Sequence, residues 1–331
     1  MEAALADRLA ATLPTTTETL LLRGALLGHA DAWEAWVRAV GDPARGIGAN
    51  RDGVRRLAPL LVRGIGRLPG FGPPAALTAL RVAARMTESR SRTFRELAGS
   101  ALAALQGARV PYVVLGGTAL AETVYPLPSL RLCHDVDLLA PRSVWRTAIR
   151  ALAAPGFRPV AWWARPRWED GQVLVHSSGL PIVLHERLLT APFDRPPIEE
   201  TEVRAVAGVD SPVLSAEAAL LRGSCHAVST LAYPGVQWIA DAWHLLRRVP
   251  SLDWDRLLAQ AGDEARGATL GGVLSYLARD LDAEVPGDVL RRLERPWASS
   301  CRVSVRGSPL RFRVARRLVT LPTALRRRAA R

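Results

Sequence analysis

Two aspartates stand one residue apart in the run Arg131-Leu132-Cys133-His134-Asp135-Val136-Asp137-Leu138-Leu139. Apolar Val136, Leu138 and Leu139 around them predict an extended segment. Alternate side chains of a strand share a face, so Asp135 and Asp137 are expected to point the same way, their backbone anchors roughly 6–7 Å apart. Two anions that close repel each other unless a cation lies between them. Hard oxygen donors of this kind suit magnesium, which completes its shell with water and substrate phosphates.

A glycine turn, Val113-Val114-Leu115-Gly116-Gly117-Thr118, precedes the acids. Residues 109–115 predict a buried strand, and residues 118–124 the opening of a helix. Glycines at such a junction let backbone approach a ligand, and the unpaired N–H groups of a helix start suit a phosphate. Tight strand-to-helix turns also favour glycine for purely structural reasons. The ordered combination of turn and acid pair therefore carries more weight than either part. The chain contains no lysine. That excludes a lysine-dependent phosphate loop and Schiff-base chemistry.

Gly116-Gly117-Thr118, followed by Tyr125-Pro126, Arg131 and Asp135-Val136-Asp137-Leu138-Leu139, resembles the nucleotidyltransferases of the DNA polymerase β superfamily. The resemblance is to a bacterial branch known as uncharacterised nucleotidyltransferases, often encoded beside peptide-modifying enzymes such as those of lasso-peptide pathways. It runs from about Gly53 to about Leu246, taking in Arg56-Leu57-Ala58-Pro59-Leu60-Leu61 and Trp238-Ile239-Ala240-Asp241. It implies an α+β fold with a small mixed sheet and flanking helices, a nucleoside triphosphate as substrate, and two magnesium ions. Gly116, Gly117 and Thr118 match the family's phosphate-contacting turn, and Asp135 and Asp137 its metal ligands. Arg131 is placed to reach the triphosphate.

One position departs from the pattern. The branch places a third acid on a later strand, just before a Leu-His pair, and here that stretch is Pro181-Ile182-Val183-Leu184-His185-Glu186. Val183 cannot bind metal or accept a proton, and Glu186, three residues on, would project from the opposite strand face. In two-metal phosphoryl chemistry one ion stabilises the attacking oxygen and the other the leaving oxygen. The missing carboxylate is expected to weaken chiefly the ion on the incoming hydroxyl. Two readings follow: a nucleotidyltransferase acting on a hydroxyl of a small molecule, peptide or RNA, or a catalytically impaired relative that binds nucleotide or peptide within a biosynthetic complex.

Composition bounds the rest. The chain has 331 residues, 49% of them hydrophobic, enough for a sizeable core and more than one domain. A helical region over residues 1–108, a catalytic core over 109–200, a second helical region over 201–300 and an arginine-rich tail over 301–331 are expected. No secretory signal or membrane span is evident, and Cys133, Cys225 and Cys301 are too scattered for a disulfide framework, so a soluble cytoplasmic protein is expected. The formal charge is +13, and ten arginines in residues 302–331, with no acid among them, leave +3 for the remainder. Leu310, Val314, Leu318 and Leu321 recur there at helical spacing. Such a segment either docks on an acidic partner, an anionic membrane or RNA, or closes the fold as a last helix.

Helical spacing covers residues 2–13, 17–27, 31–40, 51–64, 74–106, 142–153, 215–227 and 235–246, with loop signals at 41–43 and 46–48 and in the turn 69–74. The polar middle of the long helix, residues 87–92, reads as a solvated face or a lid. Residues 172–177 and 180–185 predict paired strands that would bring His176 and His185 together. His185 is the candidate for orienting or deprotonating a hydroxyl, beside the plainer reading of a core imidazole. His134 is expected to face away from the acid pair. Trp162, Trp163 and Trp168 with Arg165 and Arg167 offer a base-stacking surface or a partly buried turn. Asp241 is read as capping or pairing within the downstream helices.

Overall fold

The structure, a computed structural model, describes residues 2–66, 73–160, 171–189, 193, 200–230, 236–248 and 252–294. Among the described residues six α-helices open the chain: α1 (Glu2–Thr12), α2 (Thr16–Leu22), α3 (Ala30–Val40), α4 (Pro43–Gly48), α5 (Val54–Gly64) and α6 (Pro74–Gly107). The central elements are β1 (Val113–Leu115), α7 (Gly116–Thr123), β2 (Val136–Leu139), α8 (Trp145–Ala153), β3 (Arg158–Pro159), β4 (Gln172–Val175), β5 (Pro181–His185), β6 (Thr201–Val206) and β7 (Val209–Leu214). Helices α9 (Ala216–Ser229), α10 (Gln237–Arg248), α11 (Trp254–Gln260), α12 (Glu264–Leu281) and α13 (Gly287–Glu294) follow. The class is α+β.

The seven strands form one mixed sheet in the order β3-β4-β5-β2-β1-β7-β6. Strand β2 runs antiparallel to β1 and parallel to β5, with Leu115 opposite Asp137 and Asp137 opposite Val183. Period-two alternation then divides the residues between two faces. Val136, Leu138, Ile182 and Leu184 enter a core with Phe94, Ala98, Leu102 and Leu105 of α6 and Ala148 and Leu152 of α8. Asp137, Val183 and His185 take the other face. A second core joins the N-terminal helices to α9, α10 and α12 through residues such as Trp33, Leu57, Leu61, Leu221, Ile239 and Leu274. This second core also takes in Leu115 and Leu214 of the sheet, with Leu139 packed against it.

Several local expectations change. Only Val113–Leu115 of the predicted strand 109–115 pairs, because Arg109 takes a left-handed φ of 53° and Pro111 has no N–H to donate. The loop signals at 41–48 conceal α4: Asp42 accepts from the Arg45 N–H at 3.0 Å and Pro43 fills the first turn, a start signature that outweighs the glycines. Residues 201–214, grouped in sequence with the helices, form a β6–β7 hairpin on the sheet, turning through Ala207 and Gly208 at φ of 52° and 83°. On α6, Thr87 and Ser91 are buried while Glu88, Arg90 and Arg92 are exposed, so the polar middle is only partly a solvated face. The tryptophan-arginine cluster of residues 162–168, most of the turn 69–74 and the arginine-rich tail lie outside the described residues. No helix among the described residues is long and apolar enough to cross a membrane.

Candidate functional site

A cleft of about 280 Å³ opens on the second face of the sheet, against α9 and α10. Gly116, Gly117, Arg131, Asp135 and Asp137 line it, joined by Arg56 from α5 and by Arg222, His226, Gln237 and Asp241 from α9 and α10. Thr118 and His185 are not part of its lining, and each is hydrogen-bonded to one of the two acidic residues. The Thr118 hydroxyl donates to the Asp135 carbonyl at 3.0 Å, and His185 donates Nε2–H to Asp137 Oδ1 at 2.9 Å.

The glycine turn is the first turn of α7 itself, and Gly116 has a φ of 58°, left-handed backbone that disfavours any Cβ. A Cβ there would lie 3.1 Å from Arg222 Nη1 and 3.3 Å from Asp137 Oδ2. Guanidinium, carboxylate and helix start thus converge on one point. At Gly117 a side chain would meet the Arg131 guanidinium, with Cζ only 2.8 Å from the added carbon. Gly117 therefore makes room for an arginine, a purpose the sequence alone does not separate from contact with phosphate.

Arg131 is already committed within the fold. Its Nε and Nη2 donate to Asp241 Oδ1 and Oδ2 at 2.8 and 2.7 Å, and its Nη1 faces the Leu132 carbonyl and Cys133 Sγ. Asp241 thus pairs with Arg131 in the segment before β2, not within the downstream helices as its position suggested. His176 and His185 do not meet. The register Val175 opposite Pro181 and Gln172 opposite Leu184 puts His176 at the hairpin turn, where Nδ1 bonds Ser178 Oγ, and His185 at the far end. Glu186 pairs with Arg142 at 3.8 Å, away from the cleft. His134, expected to face away, lines the cleft because strand β2 begins only at Val136; its Nε2 lies 3.2 Å from Asp135 Oδ2.

Burial alone would raise the Asp137 pKa. The His185 hydrogen bond, with the charges of His185, Arg222 and His226, overcomes it and holds the carboxyl well below the usual range. His226 is lowered to about 3, first by burial and then by Arg222. A histidine whose pKa falls on folding contributes stability that is complete above its unfolded pKa and is lost as pH falls toward the folded value. Acidification from about pH 7 to about 5.5 should therefore cost about 1 kcal/mol at His226. The check is the urea midpoint at both values for the wild type and His226→Gln; equal pH slopes in the two proteins would contradict it.

Sequence reasoning missed Arg222, His226 and Arg56. Arg222 and His226 are four residues apart on a largely buried helix, a polar stripe at helical spacing that a search of α9 would have caught. Arg56 carried no local signal beyond membership of the resembling stretch.

Residues 53–295 match the profile of a family described as uncharacterised nucleotidyltransferase. Among solved structures, the solution structure of the antibiotic-resistance factor ANT(2'')-Ia is similar at 16% identity and a TM-score of 0.40, with 52% of this chain and 91% of that one covered. An antigenic nucleotidyltransferase-like protein from Paracoccidioides brasiliensis is similar at 14% identity and a TM-score of 0.39, with 59% and 96% covered. A search of curated proteins gives no match.

Proposed function

Because the chain belongs to the uncharacterised nucleotidyltransferase family, we propose that it moves a nucleoside monophosphate from a nucleoside triphosphate to a hydroxyl of a small molecule, a peptide or an RNA. The observation that carries this reading is the convergence of the Gly116 end of α7, the Asp137 carboxylate and Arg222 in one cleft. In the reaction the acceptor hydroxyl oxygen attacks the α-phosphorus in line, its proton leaves to water, the bond to the β-phosphate bridging oxygen breaks, and pyrophosphate leaves. The amides of Gly116 and Gly117 at the start of α7 hold phosphate oxygens. His185 fixes the orientation and charge of Asp137. Arg222 offsets negative charge on the bound nucleotide.

The donor set fits one divalent ion. Magnesium ordinarily takes one or two carboxylates and leaves its other positions to water and substrate phosphates. Asp135 and Asp137 would hold it, and bound there it neutralises triphosphate charge. Among the described residues no group of three His, Cys, Asp or Glu side chains is placed to hold a metal. The register partner of Asp137 is Val183, 3% exposed, so no third carboxylate is supplied from that position.

Calorimetry with magnesium and each nucleoside triphosphate, paired with a pyrophosphate-release assay, tests the proposal. Magnesium-dependent binding with turnover supports it, and absence of binding rejects it. Binding without turnover favours the second reading, a nucleotide-binding partner protein, for which Val183 is the specific reason. On the enzyme reading Val183→Asp places a third carboxylate on the face of Asp137. It is expected to raise transfer about tenfold with magnesium present, and to lower the thermal midpoint without it, since the new anion then faces Asp137 uncompensated. An unchanged rate in the folded variant would show that position 183 does not limit the reaction.

A further inference from the structure

The segment that delivers Asp135 has little regular structure of its own: between α7 and β2 it holds a single 3-10 turn, Pro128–Leu130. What fixes it comes mostly from α10. Asp241 takes the Arg131 guanidinium on both carboxylate oxygens and also accepts from the Tyr125 hydroxyl at 2.8 Å. Gln237, one turn earlier on the same helix, donates to the Leu132 carbonyl at 3.1 Å. His244, further along, packs against the Tyr125 ring at a centroid distance of 4.2 Å. On the other side the segment is fastened to α7, with Cys133 Sγ donating to the Gly117 carbonyl at 3.4 Å and the Thr118 hydroxyl bonding the Asp135 carbonyl.

Residues 131, 132, 133 and 135 are therefore each held, one after another, between α10 and the glycine turn. We propose that Asp241 is a positioning residue: through Arg131, whose guanidinium lies over Gly117, it sets the spacing between the α7 start and the Asp135 carboxylate. This rests on the nucleotidyltransferase reading of the cleft and goes beyond it by giving a role to a helix outside the catalytic motif. It also reassigns Arg131 from a triphosphate contact to a strut. The Arg131 and Asp241 side chains are 12% and 10% exposed, so solvent supplies no substitute partner when either is changed. A displacement of the order of 1 Å at a liganding carboxylate is enough to reduce ligand affinity and catalysis.

The experiment uses the full chain and the variants Asp241→Asn and Asp241→Glu. Asn preserves the shape and one acceptor oxygen but removes the charge; Glu restores it. Three quantities are read: Mn²⁺ affinity by electron paramagnetic resonance, alone and with each nucleoside triphosphate; the maleimide labelling rates of Cys133 and Cys225, located by mass spectrometry without ligand; and the thermal midpoint. Both thiols are buried in the native protein. Asp241→Asn is expected to weaken Mn²⁺–nucleotide binding about 10- to 100-fold, the range for partners that orient metal ligands. Cys133 labelling should accelerate while Cys225 stays protected, and Asp241→Glu should recover part of both effects. Unchanged Mn²⁺ affinity in Asp241→Asn with Cys225 protected, or a parallel rise in both thiols, would overturn the proposal, the latter assigning Asp241 to global stability alone. If the wild type binds no Mn²⁺–nucleotide, the nucleotidyltransferase reading fails, and the Cys133 rate still decides whether Asp241 fixes the segment.

Discussion

Asp135→Asn combined with Asp137→Asn should abolish magnesium-dependent nucleotide binding and reduce transfer about a thousandfold, equivalent to ~4 kcal/mol of transition-state stabilisation. The substitution keeps volume and leaves an amide oxygen to accept the His185 Nε2–H, so the fold should survive; circular dichroism at unchanged intensity is the control. What is lost is charge. Asp137 is held ionised against its own burial by the His185 hydrogen bond and the Arg222 guanidinium, so at neutral pH it is a carboxylate ready for a cation. Without it, Arg222 and the start of α7 remain, and a triphosphate can still meet positive groups. Residual metal-independent binding is therefore compatible with the assignment. Residues that act as a unit are not additive, so each single variant should lose nearly as much turnover as the pair. Wild-type pyrophosphate release and wild-type magnesium dependence in the double variant would reject the site.

The half of this site that could be read from sequence is the half built from neighbours in sequence. Two acids at a spacing of two and a glycine pair at a strand-to-helix junction are constrained by local geometry, and both reach the cleft. Position 183 was marked by the family resemblance, which implies an acid just before a Leu-His pair, and Val183 falls opposite Asp137 in the sheet. The contributions from α5, α9 and α10 were not legible, because nothing local couples Arg56, Arg222 or Asp241 to residues 116–137. The pairing of Arg131 with Asp241 spans 110 residues of sequence. A lone acid among apolar residues in Trp238-Ile239-Ala240-Asp241-Ala242-Trp243 nonetheless asks for a cationic partner, since buried charges are seldom left unpaired. Expecting that partner inside the helical region was the error. The expected meeting of His176 with His185 fails for a different reason: two strands joined by a tight turn put a residue beside the turn and a residue at the strand's other end at opposite ends of the ladder. The β6–β7 hairpin was hidden by polar and exposed residues on an edge strand, where alternation of burial is weak.

Asp241→Ala should cost about 3–5 kcal/mol of folding stability, the range for removing one partner of a buried ion pair. Three losses contribute. The Arg131 guanidinium keeps its buried place over Gly117 with no carboxylate to receive two of its N–H groups. The Tyr125 hydroxyl, also buried, loses its acceptor. Finally, α10 loses its polar anchor on the segment before β2, leaving Gln237 to hold it. Against a total stability of about 5–15 kcal/mol, such a loss brings the chain close to unfolding near its working temperature. Urea denaturation followed by tryptophan fluorescence measures it, and a loss below about 1 kcal/mol would mean that the guanidinium finds other partners. Replacing the pair together, Arg131→Met with Asp241→Leu, removes the orphaned charge as well as the bond. Stability should then recover to within about 1–2 kcal/mol of wild type, because apolar packing substitutes well for a buried ion pair. Metal-nucleotide affinity should not recover with it: methionine fills the space over Gly117 but has no directional bond to α10, so the Asp135 segment gains packing without its fixed register. Stability and affinity would then part company in one protein, the outcome expected of an ion pair retained for geometry in a position where an apolar pair would hold the fold nearly as well.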